Sequence, residues 1–292
     1  MPPSAPNPAN TGTISAGPFE LPYLIEGAGH PAIVIGSLRY YQRVFSQHLR
    51  NHLRLVFMDH RGFAPSPGPV DTSEFELEKL VEDVERLRRQ LGLGRVVVIG
   101  HSGHAYMALE YAKKYPECTS HVVMIGIAPN LSQASKELAN QNYQVLADQD
   151  RFAAEQQNRR TVSDEQLEAL PPDQAFIRRY IRNAAPIWYD PRFDSTPLWE
   201  GVTINMDMFG YVWGTLFAEI DITRGLEHLN CPVFLALGRY DFIVAPPSSW
   251  DEVKAKFKNL TIRIFERSGH TPQFEEPGLF DRELLKWMQE RS

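Results

Sequence analysis

Residues 95–99, Arg-Val-Val-Val-Ile, constrain the fold more than any other stretch of the chain. A β-branched run with no polar alternation has no face to give to water, so it belongs to a strand covered on both sides. Helical periodicity brackets it. Upstream, residues 74–91 carry Leu77, Leu80, Val81, Val84, Leu87 and Leu91 at spacings of three and four, with Thr72 or Ser73 as the expected cap and Gly92 and Gly94 as the stop. Downstream, residues 105–115 read as a helix and 122–127 as the next buried strand. Strand, helix, strand and helix at this spacing predict right-handed crossovers and a mostly parallel central sheet flanked by helices, an α/β fold.

Earlier strands are read at 21–26, 32–35 and 54–59, the last running into the turn-rich loop from His60 to Pro69. The alternation breaks from about 129 to 222, where the sequence is helical and polar and later aromatic. It resumes with a strand at 233–237, a helix near 249–258, a strand at 260–265 and a final helix at 278–290. The expected organisation is a flexible N-terminal tail (1–18), a core in two pieces (19–127 and 223–292) and a helical cap inserted between them (128–222). The first residues are rich in Pro, Asn, Ala and Gly and lack the charged start and apolar centre of a signal peptide, so a cytoplasmic location is expected.

Composition narrows the function. A chain of 292 residues that is 43% hydrophobic and 23% charged has ordinary globular composition. No stretch approaches the roughly 20 apolar residues of a membrane span. A net charge of −6 argues against a nucleic-acid partner. Two cysteines, Cys118 and Cys231, are too few for a zinc site and read as free thiols, with no CxxC or HExxH to extend them. Neither GxGxxG nor GxxxxGK[ST] occurs, so no nucleotide, no metal and no other cofactor is expected.

Chemistry concentrates where the buried strand meets the following helix, at Gly100-His101-Ser102-Gly103-His104. A serine on so tight a turn is pushed into a strained, exposed position above the sheet edge, and the amide of Gly103 points toward a developing oxyanion. The hydroxyl needs a base. Of nine histidines, His270 stands at the carboxyl end of a predicted strand, where catalytic groups of open α/β sheets collect. The imidazole in turn needs a carboxylate, and Asp241 follows the strand at 233–237 in Gly238-Arg-Tyr-Asp. Ser102, Asp241 and His270 therefore each follow a predicted parallel strand.

On these motifs, GHSGH, GRYD and SGHTPQFEEP, the chain resembles the α/β-hydrolase fold family over about residues 20 to 290, in its serine-nucleophile branch of esterases and proline iminopeptidase-like members. A fourth segment, from Asp59 to Ser66, is similar to the D-x-R-G-x-G-x-S loop of the iminopeptidase-like branch. The resemblance implies a nucleophile elbow at Ser102, an orienting carboxylate at Asp241, a base at His270 and a cap after the sixth core strand. It also implies an oxyanion hole built from the amide of Gly103 and that of Ser37 or Leu38. Here the chain departs from the glycine-rich version by reading Ile35-Gly36-Ser37-Leu38. Asp59 and Arg61 are expected to brace their loop, and Glu275 to support that of His270. A serine nucleophile separates the chain from the haloalkane dehalogenases and epoxide hydrolases of this fold, which attack with a carboxylate.

The segment 188–217 holds Trp188, Tyr189, Phe193, Trp199, Phe209, Tyr211, Trp213 and Phe217. Most are expected to pack the cap on the core, with Trp188, Tyr211, Trp213 and His104 lining a substrate pocket. His104 reads either as a residue packed at the helix N-terminus or as a polar wall or second proton carrier. Apolar walls suit a small to medium acyl or alkyl group. Glu200, Asp207, Glu219 and Asp221 are the acids that would hold the amine of a peptide substrate. The expected protein is a monomeric or homodimeric serine hydrolase of small-molecule esters or amides, with no nucleic-acid or membrane partner. The alternatives are an iminopeptidase-like aminopeptidase and a low-turnover ligand-binding protein on the same fold.

Overall fold

A computed structural model describes residues 10–65 and 67–291. Eight strands form one sheet: β1 (Thr11–Ala16), β2 (Phe19–Glu26), β3 (His30–Gly36), β4 (Leu53–Asp59), β5 (Val96–His101), β6 (Thr119–Ile125), β7 (Val233–Gly238) and β8 (Leu260–Phe265). Their order is β1-β2-β4-β3-β5-β6-β7-β8. The β1–β2 and β2–β4 pairs are antiparallel, and every pair from β4 to β8 is parallel. Every residue of β5 and of β7 is buried, as a strand with helices on both faces requires.

The helices of the first half are α1 (Leu38–Val44), α2 (Leu77–Gln90) and α3 (His104–Lys114). The stripe of α2 buries Leu80, Val81, Val84 and Leu87. This helix begins later than its periodicity suggests: Thr72–Phe75 form a 3-10 turn whose first amides are capped by Asp71, not by Thr72 or Ser73. Between β6 and β7 the regular elements are all helical: α4 (Gln133–Leu146), α5 (Gln149–Thr161), α6 (Asp164–Glu168), α7 (Pro172–Arg182), α8 (Ala184–Ile187), α9 (Thr196–Trp199), α10 (Met206–Tyr211), a π-helical turn (Val212–Leu216), α11 (Phe217–Glu219) and a 3-10 turn (Leu226–His228). After β7 the expected helix near 249–258 is a 3-10 turn (Pro247–Trp250) followed by the short α12 (Asp251–Lys254); α13 (Pro272–Glu275) and α14 (Pro277–Glu290) end the fold.

The expected tail is shorter than 1–18, because Thr11–Ala16 is the sheet's edge strand. Ile14 and Ala16 face the core while Thr13 and Ser15 face out, so the run is too short and too small in side chain to announce itself by hydrophobicity. A two-residue turn, Gly17-Pro18, closes the hairpin with Gly17 at φ +65°, a conformation glycine adopts without strain. The remainder of the expected tail, residues 1–9, lies outside the described residues.

The helical insertion is tied to the core by Arg151 of α5. Its guanidinium donates to the carbonyls of Ala185, Trp188 (2.8 Å) and Tyr189 (2.7 Å) and lies over the rings of Tyr240 and Phe242, which flank Asp241. No helix among the described residues is long and apolar enough to cross a membrane.

Candidate active site

Gly36, Asp59, Ser102, Asp241 and His270 all stand at or just beyond the carboxyl ends of parallel strands, so one edge of the sheet gathers them. Ser102 has φ +57° and is the one non-glycine residue with positive φ among those described. For serine such backbone costs about 1–3 kcal/mol and persists only where the surroundings enforce it. Its amide is pinned to the carbonyl of Ile125 at 2.8 Å, and its carbonyl accepts from Ala105 at 2.9 Å. Gly100 makes the elbow sterically possible, since a Cβ there would lie 2.1 Å from the carbonyl oxygen of His104.

His270 is buried in the loop after β8, with Nδ1 2.7 Å from Oδ2 of Asp241. An ionised carboxylate only accepts, so the proton sits on Nδ1 and Nε2 is left bare. The other carboxylate oxygen of Asp241 accepts from the amide of Ile243 at 3.2 Å. Glu275 holds the backbone on both sides of the imidazole, accepting from the amides of Gly269 (3.0 Å) and Thr271 (3.1 Å), and from that of Tyr189 (2.6 Å). Burial pushes its carboxyl up to about 7 against the pull of those three amides. The carbonyl of Ile187, at the end of α8, accepts from the amide of His270 at 2.7 Å. Sequence patterns carry no signal for that last bond, which joins residues distant along the chain.

In the loop after β3, the amide of Leu38 donates to Oδ1 of Asp59 at 2.7 Å. It is therefore committed, and Ser37 is the remaining candidate of the two. Ser37 caps α1, its hydroxyl accepting from the amide of Tyr40 at 3.3 Å. Burial pushes Asp59 up to about 7, opposed by the Leu38 amide. Arg61 clamps its loop to α2 through Asp83 (2.6 and 3.0 Å) and to the carboxylate of Glu74 (2.6 Å), as a bracing residue should. Ser66, the end of that motif, lies outside the described residues.

A cavity of about 510 Å³ opens onto Ser102 and His270. His104 and Trp213 line it, as do Ser37, Tyr41, Phe63 and Phe209. Trp188 does not: it is buried with its ring centroid 4.6 Å from that of Phe193 and 5.9 Å from that of Phe274. Tyr211 also points away, donating its hydroxyl to Glu76 at 2.6 Å. Two steps along a helix is about 200°, so Tyr211 and Trp213 take opposite faces. Among the walls that sequence reasoning left out are Tyr40 and Tyr41 of α1, and Phe176 and Tyr180 of α7. The i, i+4 spacing of the last pair was a usable signal. Among the described residues, Lys136 is the single Lys, Arg, Asp or Glu on the lining. Glu200, Asp207, Glu219 and Asp221 are all exposed and none reaches the cavity.

The chain matches the family model described as alpha/beta hydrolase fold over residues 24–277. It is 38% identical over 276 residues to the AB hydrolase superfamily protein YclE of Bacillus subtilis (strain 168), covering 92% of this chain and 95% of that one. It is 26% identical over 270 residues to a proline iminopeptidase of Heyndrickxia coagulans, covering 86% and 88%. Among solved structures it is similar to an alpha/beta fold family hydrolase from Bacillus anthracis str. Sterne, with TM-score 0.68, 20% identity and coverage of 97% and 99%.

Proposed function

This chain belongs to the α/β-hydrolase family, and we propose that within it the protein is a cofactor-independent serine hydrolase of carboxylic esters with apolar acyl groups. One observation carries the reading: a serine held at φ +57° shares an apolar cavity with a histidine whose Nδ1 is bonded to a buried aspartate at 2.7 Å. Nε2 of His270, left bare by that bond, takes the Ser102 proton as Oγ attacks the ester carbonyl. Asp241 stabilises the imidazolium that forms. The oxyanion is held by the amides of Gly103, at the N-terminus of α3, and of Ser37. His270 returns the proton to the departing alcohol, leaving an acyl-enzyme. Water, deprotonated by the same imidazole, then releases the acid.

The aminopeptidase alternative is favoured by the relative named a proline iminopeptidase. A peptide with a free α-amine needs a carboxylate in the cavity, and among the described residues none lines it. The ester reading fits those walls better. Ser102→Ala tests it together with a panel of p-nitrophenyl esters and proline p-nitroanilide. The expected result is ester turnover in the wild type, its loss in the folded variant and little anilide cleavage. Full activity in Ser102→Ala would remove the serine mechanism, and a strong preference for the anilide would make the protein an aminopeptidase. Failure of a fluorophosphonate to label Ser102 would point to a binding protein.

A further inference from the structure

The two residues on either side of the elbow belong to a buried polar chain that the proposed mechanism does not use. Nε2 of His101 lies 2.8 Å from the carbonyl oxygen of His270, and its Nδ1 lies 3.1 Å from the Tyr41 hydroxyl. That hydroxyl is also 3.1 Å from Nδ1 of His104, which approaches the carbonyl of His101 at 2.9 Å. Nε2 of His104 meets Nε2 of His60 at 2.8 Å, and Nδ1 of His60 accepts from the amide of Gly62 at 2.9 Å.

These partners fix every proton. The carbonyl of His270 only accepts, so His101 carries its proton on Nε2 and takes the Tyr41 hydroxyl proton on Nδ1. The carbonyl of His101 likewise puts the His104 proton on Nδ1, leaving its Nε2 bare. The Gly62 amide leaves Nδ1 of His60 bare, so His60 donates from Nε2 to His104. All three imidazoles are neutral and every bond points one way, from the loop after β4 toward the backbone of His270. Burial holds all three below their ordinary range, His104 at about 4.

We propose that His101 is a positioning residue for the base, the last link of an uncharged chain through His60, His104 and Tyr41 that fixes the carbonyl of His270 against the elbow. The inference rests on the reading of His270 as the base. Two further observations support it. Methionine or leucine would fill these places with no polar groups to satisfy, whereas here all six ring nitrogens of His60, His101 and His104 have a partner, which offsets the cost of burying them. In addition, the carbonyl of His270 packs so closely on the end of β6 that a Cβ at Gly126 would come within 2.5 Å of it. That oxygen is therefore clamped from two sides, and the ring that follows it inherits the placement.

His101→Met deletes the donor at nearly constant volume, and His101→Gln restores an N–H where Nε2 stood. Steady-state ester hydrolysis by both, read as kcat and KM separately, tests the proposal. His101→Met is expected to lower kcat roughly 10- to 100-fold with KM within two-fold, the size of effect that follows a small misplacement of a catalytic group. His101→Gln is expected to recover most of that loss. Tyr41→Phe, which removes one oxygen, should give a smaller fall of the same kind and carries the test should His101→Met fail to fold. Wild-type kcat in His101→Met, or equal losses in the Met and Gln variants, would overturn the proposal. The serine mechanism is judged separately: Ser102→Ala must be inactive, and a fluorophosphonate must label Ser102 to completion in His101→Met, only more slowly.

Discussion

Asp241 decides which nitrogen of His270 can accept a proton. It is buried beside the ring, and an amide in its place presents an NH2 group to Nδ1 as readily as an oxygen. The ring then turns to the tautomer with its proton on Nε2, which cannot take one from Ser102. Asp241→Asn is therefore expected to lower kcat on the order of 10⁴-fold with the fold intact. Circular dichroism and ester kinetics at neutral pH check this, and a loss below ten-fold would deny Asp241 its role. Ser102, Asp241 and His270 were readable as candidates because they follow β5, β7 and β8 by one, three and five residues, which brings them to one edge of the sheet. The choice between Ser37 and Leu38 was not, since it turns on Asp59 capturing one amide across a loop. The same holds for Trp188 and Tyr211: aromatic content located the wall, but the facing of each ring depends on what it packs against.

Among the elements, α10 and the π-helical turn after it shape the cavity most directly. Gly210 and Gly214 sit four residues apart on its lining, and a Cβ built on either meets nothing within 4 Å. A side chain added there would occupy open space beside the cavity. Gly214→Leu is expected to cut turnover of long-chain p-nitrophenyl esters at least ten-fold while sparing the acetate. Because leucine is the better helix former by about 1 kcal/mol, lost stability does not account for the result. Unchanged chain-length preference would show that the acyl group lies elsewhere. The long buried strands and α2 were read to within a few residues, since burial on both faces or on one stripe leaves a strong pattern. β1 and α1 were missed for a shared reason. Each is six or seven residues of mixed polarity, and each is held by what it docks on: β2 for the strand, the Ser37 cap for the helix.

At the scale of the molecule, the sheet interior sets how stability responds to acid. His121 on β6 is buried, neither of its ring nitrogens has a hydrogen-bond partner, and burial pushes it to about 4. As pH falls from 6.5 toward 4 the unfolded chain binds a proton that the folded chain refuses, so this residue's contribution is present above 6.5 and lost on acidification. Asp59 and Glu275, raised to about 7, act in the opposite sense: they favour the folded state at low pH and lose that contribution as pH rises through 7. In a comparison of wild type with His121→Leu those carboxyls are common to both and cancel. The variant's Tm is expected to gain on the wild type as pH drops from 7 to 5, measured by thermal melts across that range. A gap independent of pH would mean that His121 binds its proton equally well in the folded and unfolded chain.

Arg151 gives the arrangement one more property. Its guanidinium binds three carbonyls between α8 and Tyr189 while lying over the two aromatic rings that bracket Asp241. One side chain thus joins the turn after α8 to the two rings beside Asp241. Lifting α5 would therefore break the contacts that hold the rings on either side of the His270 partner, Asp241.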